Sequence, residues 1–258
     1  VGVEGWWGWI GCGGGGCGGP EPLTRGGAGR LAGADGVSEA GGLGNPALLG
    51  LAKPGCGLLN SAGMTLEQVI AQMEAQEALH HETVRLHTGD PSLYGAIREQ
   101  MDALDARGIP YDVAPGVSSL SGAAAALQVE YTIPGVNQTV IVTRMAGRTP
   151  VPAGQDIASL AAHGAAMVIF LSAGMLDALQ AELLRGAYAE ETPAALVYKA
   201  TWPEERLLRC RLGDLAAVGR EAGVRRTALV LVGDFLRQAG ERSRLYDPTF
   251  STGYREAE

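Results

Sequence analysis

Two short, almost unbroken apolar runs, Ala166–Leu171 and Thr227–Val232, limit what this chain can become. A strand that is apolar at every position has no face for water, so other elements must cover both of its sides. Helix-period segments stand between such runs along most of the chain. Strands alternating with helices make the class α/β.

From Ser61 onward the elements can be read in order. Thr65 is placed to cap a helix that runs to about Leu79, and Thr83–His87 reads as a strand. That strand ends in the sharp turn Thr88-Gly89-Asp90-Pro91. The pattern then predicts a helix over 94–107 stopped by Gly108, a strand at 111–113, and a small-residue helix over 118–127. Strands follow at 139–143, 166–171, 194–198, 207–212 and 227–232, with helices at 157–163, 176–184 and 215–222. The tail after Leu236 is polar and reads as irregular. Pro115-Gly116 is the best hinge, dividing an N-terminal α/β domain (1–114) from a C-terminal one (115–258). That fits a 258-residue chain, since domains run to roughly 100–150 residues.

The first sixty residues differ, holding 21 of the 39 glycines. Glycine at this density weakens helices and strands alike. Leu31, Leu43, Leu48, Leu49 and Leu51 nevertheless punctuate the segment, and Asn45-Pro46-Ala47-Leu48-Leu49 looks like a helix start with proline in its first turn. We read a real element order into which glycine has been substituted. A G-x-G-x-x-G match at Gly11–Gly16 carries no information inside a glycine run, and no phosphate-loop lysine follows it.

The net charge of −8 argues against broad binding of nucleic acid or an anionic membrane. It leaves room for a local basic pocket; Arg144, Arg148, Arg206, Arg209, Arg225 and Arg226 are either such a pocket or solvated surface cations. No C-x-x-C pair joins Cys12, Cys17, Cys56 and Cys210, so zinc is not expected and the thiols read as free and cytosolic. There is no transmembrane run or signal peptide pattern. His80 and His81, as neighbours, would point to different sides of a helix and make poor metal partners. His87 and His163 read as structural. No G-x-S-x-G elbow is present.

Two motifs carry chemistry. In Leu86-His87-Thr88-Gly89-Asp90-Pro91-Ser92-Leu93-Tyr94-Gly95, Gly89 lets the backbone turn where a side chain would obstruct a ligand. Asp90 can accept hydrogen bonds or cap the next helix. Such strand-end turns form the ligand crevice of open α/β sheets. In Pro115-Gly116-Val117-Ser118-Ser119 the two hydroxyls can hold a ligand or cap a helix, and capping is the better reading of that segment alone.

In this order the motifs resemble the tetrapyrrole (corrin/porphyrin) methylase family. The segments Asn60-Ser61-Ala62-Gly63-Met64-Thr65-Leu66, Thr143-Arg144-Met145 with Arg148-Thr149-Pro150, and Lys199-Ala200-Thr201-Trp202-Pro203 bring it nearer to the members that methylate C11 of precorrin-4 in cobalamin biosynthesis. The resemblance covers roughly residues 45–255. It implies two α/β domains with the cofactor in the cleft between them, usually as a homodimer. It implies an enzyme that moves a methyl group from S-adenosylmethionine to a ring carbon, leaving S-adenosylhomocysteine, with no metal.

By the same resemblance, Thr88, Gly89, Asp90, Leu93, Ser118, Ser119, Leu171, Ala200 and Thr201 bind the cofactor, while Arg144 and Met145 contact the macrocycle. The chain departs from the family at its start. The family's G-x-G-P-G-D-P loop falls on Gly14–Pro20, with Cys17 for the usual Pro and Gly19 for the usual Asp. The family's Y-A-G-S-L reads Glu39-Ala40-Gly41-Gly42-Leu43, and bulky apolar residues of a first strand are nearly lacking around Cys12-Gly13. Two alternatives stay open: a methylase of the same fold acting on uroporphyrinogen-III, RNA or protein, and a non-catalytic cofactor-binding homodimer.

Overall fold

The computed structural model describes residues 10–14, 21–39, 45–237 and 240–257. They form two compact units. The first takes the described residues up to Gly122 together with Lys199–Glu204; the second takes Ala123–Tyr198 and the described residues from Glu205 on.

The first unit is built on β1 (Ile10–Gly14), β2 (Gly36–Glu39), β3 (Gly57–Asn60), β4 (Thr83–His87) and β5 (Tyr111–Ala114). They lie in the order β3-β2-β4-β1-β5, and every pair is parallel. The glycine-rich start therefore does carry an element order. β1 reads Ile-Gly-Cys-Gly-Gly yet lies between β4 and β5, because a strand needs only its N–H and C=O groups to join a ladder. The loop equivalent expected at Gly14–Pro20 continues beyond Gly14 outside the described residues, as does most of the Glu39–Leu43 segment.

Helices α1 (Arg25–Gly33), α2 (Leu66–Glu77) and α3 (Ile97–Asp105) accompany this sheet. Thr24 caps α1 by accepting from the Gly27 N–H, and Thr65 and Gln68 close a reciprocal capping box on α2. Asn45 starts a 3-10 turn, Pro46–Leu51, where proline and leucines predicted a helix start.

Pleating sends alternate residues of β4 to opposite faces. Val84 and Leu86 pack with Leu31, Val37 and Leu48. Thr83, Arg85 and His87 take the other face, where Gln100 of α3 meets Arg85. Helix α3 begins at Ile97, three residues later than the sequence predicted. Tyr94 and Ala96 adopt left-handed φ of 58° and 50°, and a Cβ on Gly95 would collide with the Pro91 backbone. Helix α2 stops at Glu77, so His80 and His81 lie in the turn beyond it rather than on a helix.

The second unit has β6 (Val140–Arg144), β7 (Ala166–Phe170), β8 (Pro193–Tyr198), β9 (Arg206–Arg211) and β10 (Ala228–Val232), ordered β6-β7-β10-β8-β9. The expected burial of the two apolar runs holds over Ala166–Ile169 and Leu229–Val232, while Phe170, Thr227 and Ala228 are half-buried and Leu171 is exposed. Only β6 and β7 are parallel; β10 runs antiparallel to β7 and β8, and β9 antiparallel to β8. Met167, Ile169, Leu196, Val230 and Val232 form one core with Leu179 and Leu183 of α6 (Leu176–Leu184) and Leu215 of α7 (Leu215–Glu221). The unit also holds α5 (Ile157–Ala161), and α4 (Ser119–Leu127) begins in the first unit. No helix among the described residues is long and apolar enough to cross a membrane.

Candidate active site

The two motifs singled out in the sequence meet at the C-terminal end of the first sheet. β4 ends at His87 and the chain turns through Thr88-Gly89-Asp90, with Gly89 at φ +73°. A Cβ built on Gly89 would touch the Ser118 Cα at 3.7 Å and the Ser119 N at 3.8 Å, so the two turns run against each other.

Asp90 ties them together. Its Oδ2 accepts from the Gly116 N–H at 2.9 Å, and its Oδ1 accepts from the Ser92 N–H at 2.9 Å and from the Ser92 hydroxyl. Desolvation works to raise this carboxyl, but the bonds from Ser92 and Gly116 outweigh it and hold the group below the usual carboxylate range. Asp90 is thus a charged strut between the turns. Ser118 is buried and its Oγ accepts from the Leu120 N–H at 3.2 Å, the capping role favoured by local spacing. Ser119 is the first residue of α4. Leu93 is half-buried and Thr88 exposed on the same turn. Ala200 and Thr201 also belong to this unit, on the segment Lys199–Glu204; Ala200 is buried and Thr201 has φ +67°. Lys199 Nζ lies 4.7 Å from the centre of the Trp202 ring.

The second unit holds the other expected residues. Leu171 follows β7 with φ +53° and 60% exposure. A branched side chain in a left-handed backbone, directed at water, costs about 1–3 kcal/mol, and such strain collects at functional sites. Ser172, fully buried, locks this corner: its hydroxyl donates to the Phe170 carbonyl at 2.7 Å and accepts from the Met145 N–H at 2.9 Å. Met145 and Phe170, the neighbour of Leu171, are therefore joined through one hydroxyl. Sequence reasoning missed Ser172, for which the only signal was a serine directly after an apolar run.

Arg144 does not present a free guanidinium. It donates to the carbonyls of Met145 at 3.3 Å, Thr149 at 3.2 Å and Pro150 at 2.7 Å, so it shapes the 145–150 loop. Arg206 and Arg209 also donate to backbone carbonyls, of Ala222 and of Leu236 and Leu127. Half of the six arginines considered for an acidic ligand are thereby engaged on neutral partners.

Residues 14–216 match the family of tetrapyrrole (corrin/porphyrin) methylases. The chain belongs to the tetrapyrrole methylases. Within this family it is 44% identical over 239 residues to the cobalt-precorrin-4 C(11)-methyltransferase of Methanocaldococcus jannaschii, covering 92% of each chain. Among solved methylases, a cobalt precorrin-4 methyltransferase of cobalamin biosynthesis superposes with a TM-score of 0.86 at 40% identity, over 88% of this chain and 95% of that one. The uroporphyrin-III C-methyltransferase of Thermus thermophilus, solved in complex with S-adenosylhomocysteine, gives 0.75 at 26% identity over 91% and 96%.

Proposed function

We propose that this tetrapyrrole methylase transfers a methyl group from S-adenosylmethionine to C11 of precorrin-4, or of its cobalt-bearing form, in cobalamin biosynthesis. The observation that carries the reading is similarity at nearly full length to an enzyme of that activity, 44% over 92% of both chains, against 26% to a uroporphyrin-III enzyme. The meeting of the Thr88–Asp90 and Pro115–Ser119 turns supports a ligand site there.

S-adenosylmethionine supplies a methyl group already activated on a sulfonium. The residues of the chain then have to bind, orient and exclude water. Thr88, Gly89, Asp90, Leu93, Ser118, Ser119, Leu171, Ala200 and Thr201 would hold it. They fit such a group: Gly89 leaves backbone open to close approach, the Asp90 strut fixes the turn, and Leu171 and Thr201 are held in strained conformations at their respective loop ends. Met145 would contact the macrocycle, with Arg144 acting on it through the loop it braces. The enzyme would act as a homodimer in the cytoplasm, which light scattering of the purified chain tests for the dimer.

The deciding experiment incubates the protein with labelled S-adenosylmethionine and precorrin-4, metal-free and cobalt-loaded, and reads the product by mass. A gain of one methyl group located at C11 is expected. No gain on either substrate, with S-adenosylhomocysteine binding intact, overturns the assignment, and a gain on uroporphyrinogen-III instead reassigns the substrate.

A further inference from the structure

Two buried side-chain atoms among the described residues have no hydrogen-bond partner, Thr83 Oγ1 and His87 Nε2, and they lie at opposite ends of β4. An unpaired buried polar atom destabilises a fold, so a persistent one calls for a purpose. The two ends are not equivalent. Open parallel sheets receive ligands beyond the carboxyl ends of their strands. Thr83 begins β4, whereas His87 ends it and directly precedes the Thr88–Asp90 turn.

His87 is only 3% exposed, and its register partner on β1 is Gly14. Arg85 shares its face of the strand and is anchored on Ser38, Ser61, Gln100 and the Glu39 carbonyl. Burial first, and the Arg85 charge second, push the His87 imidazole down to about 4, so the ring is neutral under physiological conditions. A neutral ring beside the turn suits a ligand that carries a fixed positive charge, because a protonated histidine would repel it. The carboxylates of a macrocycle would call for the opposite, a cation.

We propose that His87 is a binding residue for the methyl donor, its Nε2 making a hydrogen bond to S-adenosylmethionine, and to S-adenosylhomocysteine after transfer, at the carboxyl end of the first sheet. This deepens the methyl-donor reading above and rests on it.

The test uses the full chain, labelled with nitrogen-15 in its histidines, and S-adenosylhomocysteine as the probe. Saturation is expected to move the His87 ring-nitrogen signal, assigned from its loss in His87→Gln, and to leave His163 in place. Calorimetric titration of His87→Leu is expected to show affinity weakened about tenfold, about 1.4 kcal/mol. The thermal midpoint of that variant should stay the same or rise, because the unpaired atom is gone. A residue serving the fold alone would do the reverse, lowering the midpoint and leaving affinity unchanged, and that result overturns the proposal. Should His87→Leu fail to fold, the ring-nitrogen signal of the unmutated protein decides: binding without a His87 shift sinks the inference. No binding by the folded unmutated protein sinks the methyl-donor reading itself, which is a separate outcome.

Discussion

The sheet of the first unit is wholly parallel around a strand reading Ile-Gly-Cys-Gly-Gly, while the sheet of the second is mixed and packs Met167, Ile169, Leu196, Val230 and Val232 into one core. In the first, β1 is placed by backbone pairing to β4 and β5. In the second, the strands are placed by pairing and by side chains together. Position in a sheet and side-chain bulk are therefore separable, and the glycines of α1, set against two that are packed in the second unit, mark the difference. In α1, a Cβ added to Gly26 or Gly29 meets nothing within 4 Å. In the second unit, a Cβ on Gly219 would strike the Leu176 side chain, and one on Gly186 the Ala161 methyl. The first pair is tolerated; the second pair is required.

The sharpest blow to the second unit is Phe235→Ala. The ring is fully buried, 5.1 Å from the Tyr131 ring, and its loss should cost about 3–5 kcal/mol in urea unfolding. Acid should strike the first unit at a comparable scale through His87. Its ordinary value is 6.5 and its folded value about 4, so between these the unfolded chain holds a proton that the folded one does not. Stability is then complete above about pH 6.5 and falls as pH drops toward 4, by about 3 kcal/mol in all. A urea midpoint that falls equally in His87→Leu would refute this source. The second unit has no such acid-sensitive buried ring among its described residues; Cys210, pushed up to about 11 by burial, titrates only in alkali.

Smaller effects probe the glycines. Gly219→Ala should destabilise by about 1–3 kcal/mol through overpacking, and an unchanged midpoint would show that Leu176 can give way. Gly26→Ala and Gly29→Ala should each stabilise by about 0.5–1 kcal/mol, since α1 loses only backbone freedom in the unfolded chain. If either alanine destabilises, the glycines of α1 are not idle and the contrast between the units narrows.

The same contrast governs what could be read from residues alone. From Ser61 on, strand and helix boundaries fall within a residue or two of their patterns, because periodicity there reports burial directly; the exception is the start of α3, which the left-handed backbone at Tyr94 and Ala96 delays by three residues. α1, β2 and β3 gave no such signal, since glycine leaves no periodicity to read. The antiparallel run of β10 was equally hidden, as a fully buried strand looks alike in either direction. At the site, the turn residues were legible from Gly89 and the paired serines. The bonds that join the turns were not: Asp90 to Gly116 spans 26 residues, and Ser172 to Met145 spans 27. Arg144 came to the site through the resemblance, and residues alone gave no sign that its donors reach three nearby carbonyls.

The place of β1 between β4 and β5 has a consequence for synthesis on the ribosome. Ile10 pairs with Thr83 and with Tyr111, so the earliest of the described strands cannot complete its ladder until more than a hundred later residues have left the tunnel. At about 5–20 residues per second that is a wait of roughly 5–20 s. A waiting strand rich in β-branched residues would be a template for unwanted pairing. One composed of Ile-Gly-Cys-Gly-Gly offers little to a stray partner, so the thinness that weakens the finished sheet protects the nascent one.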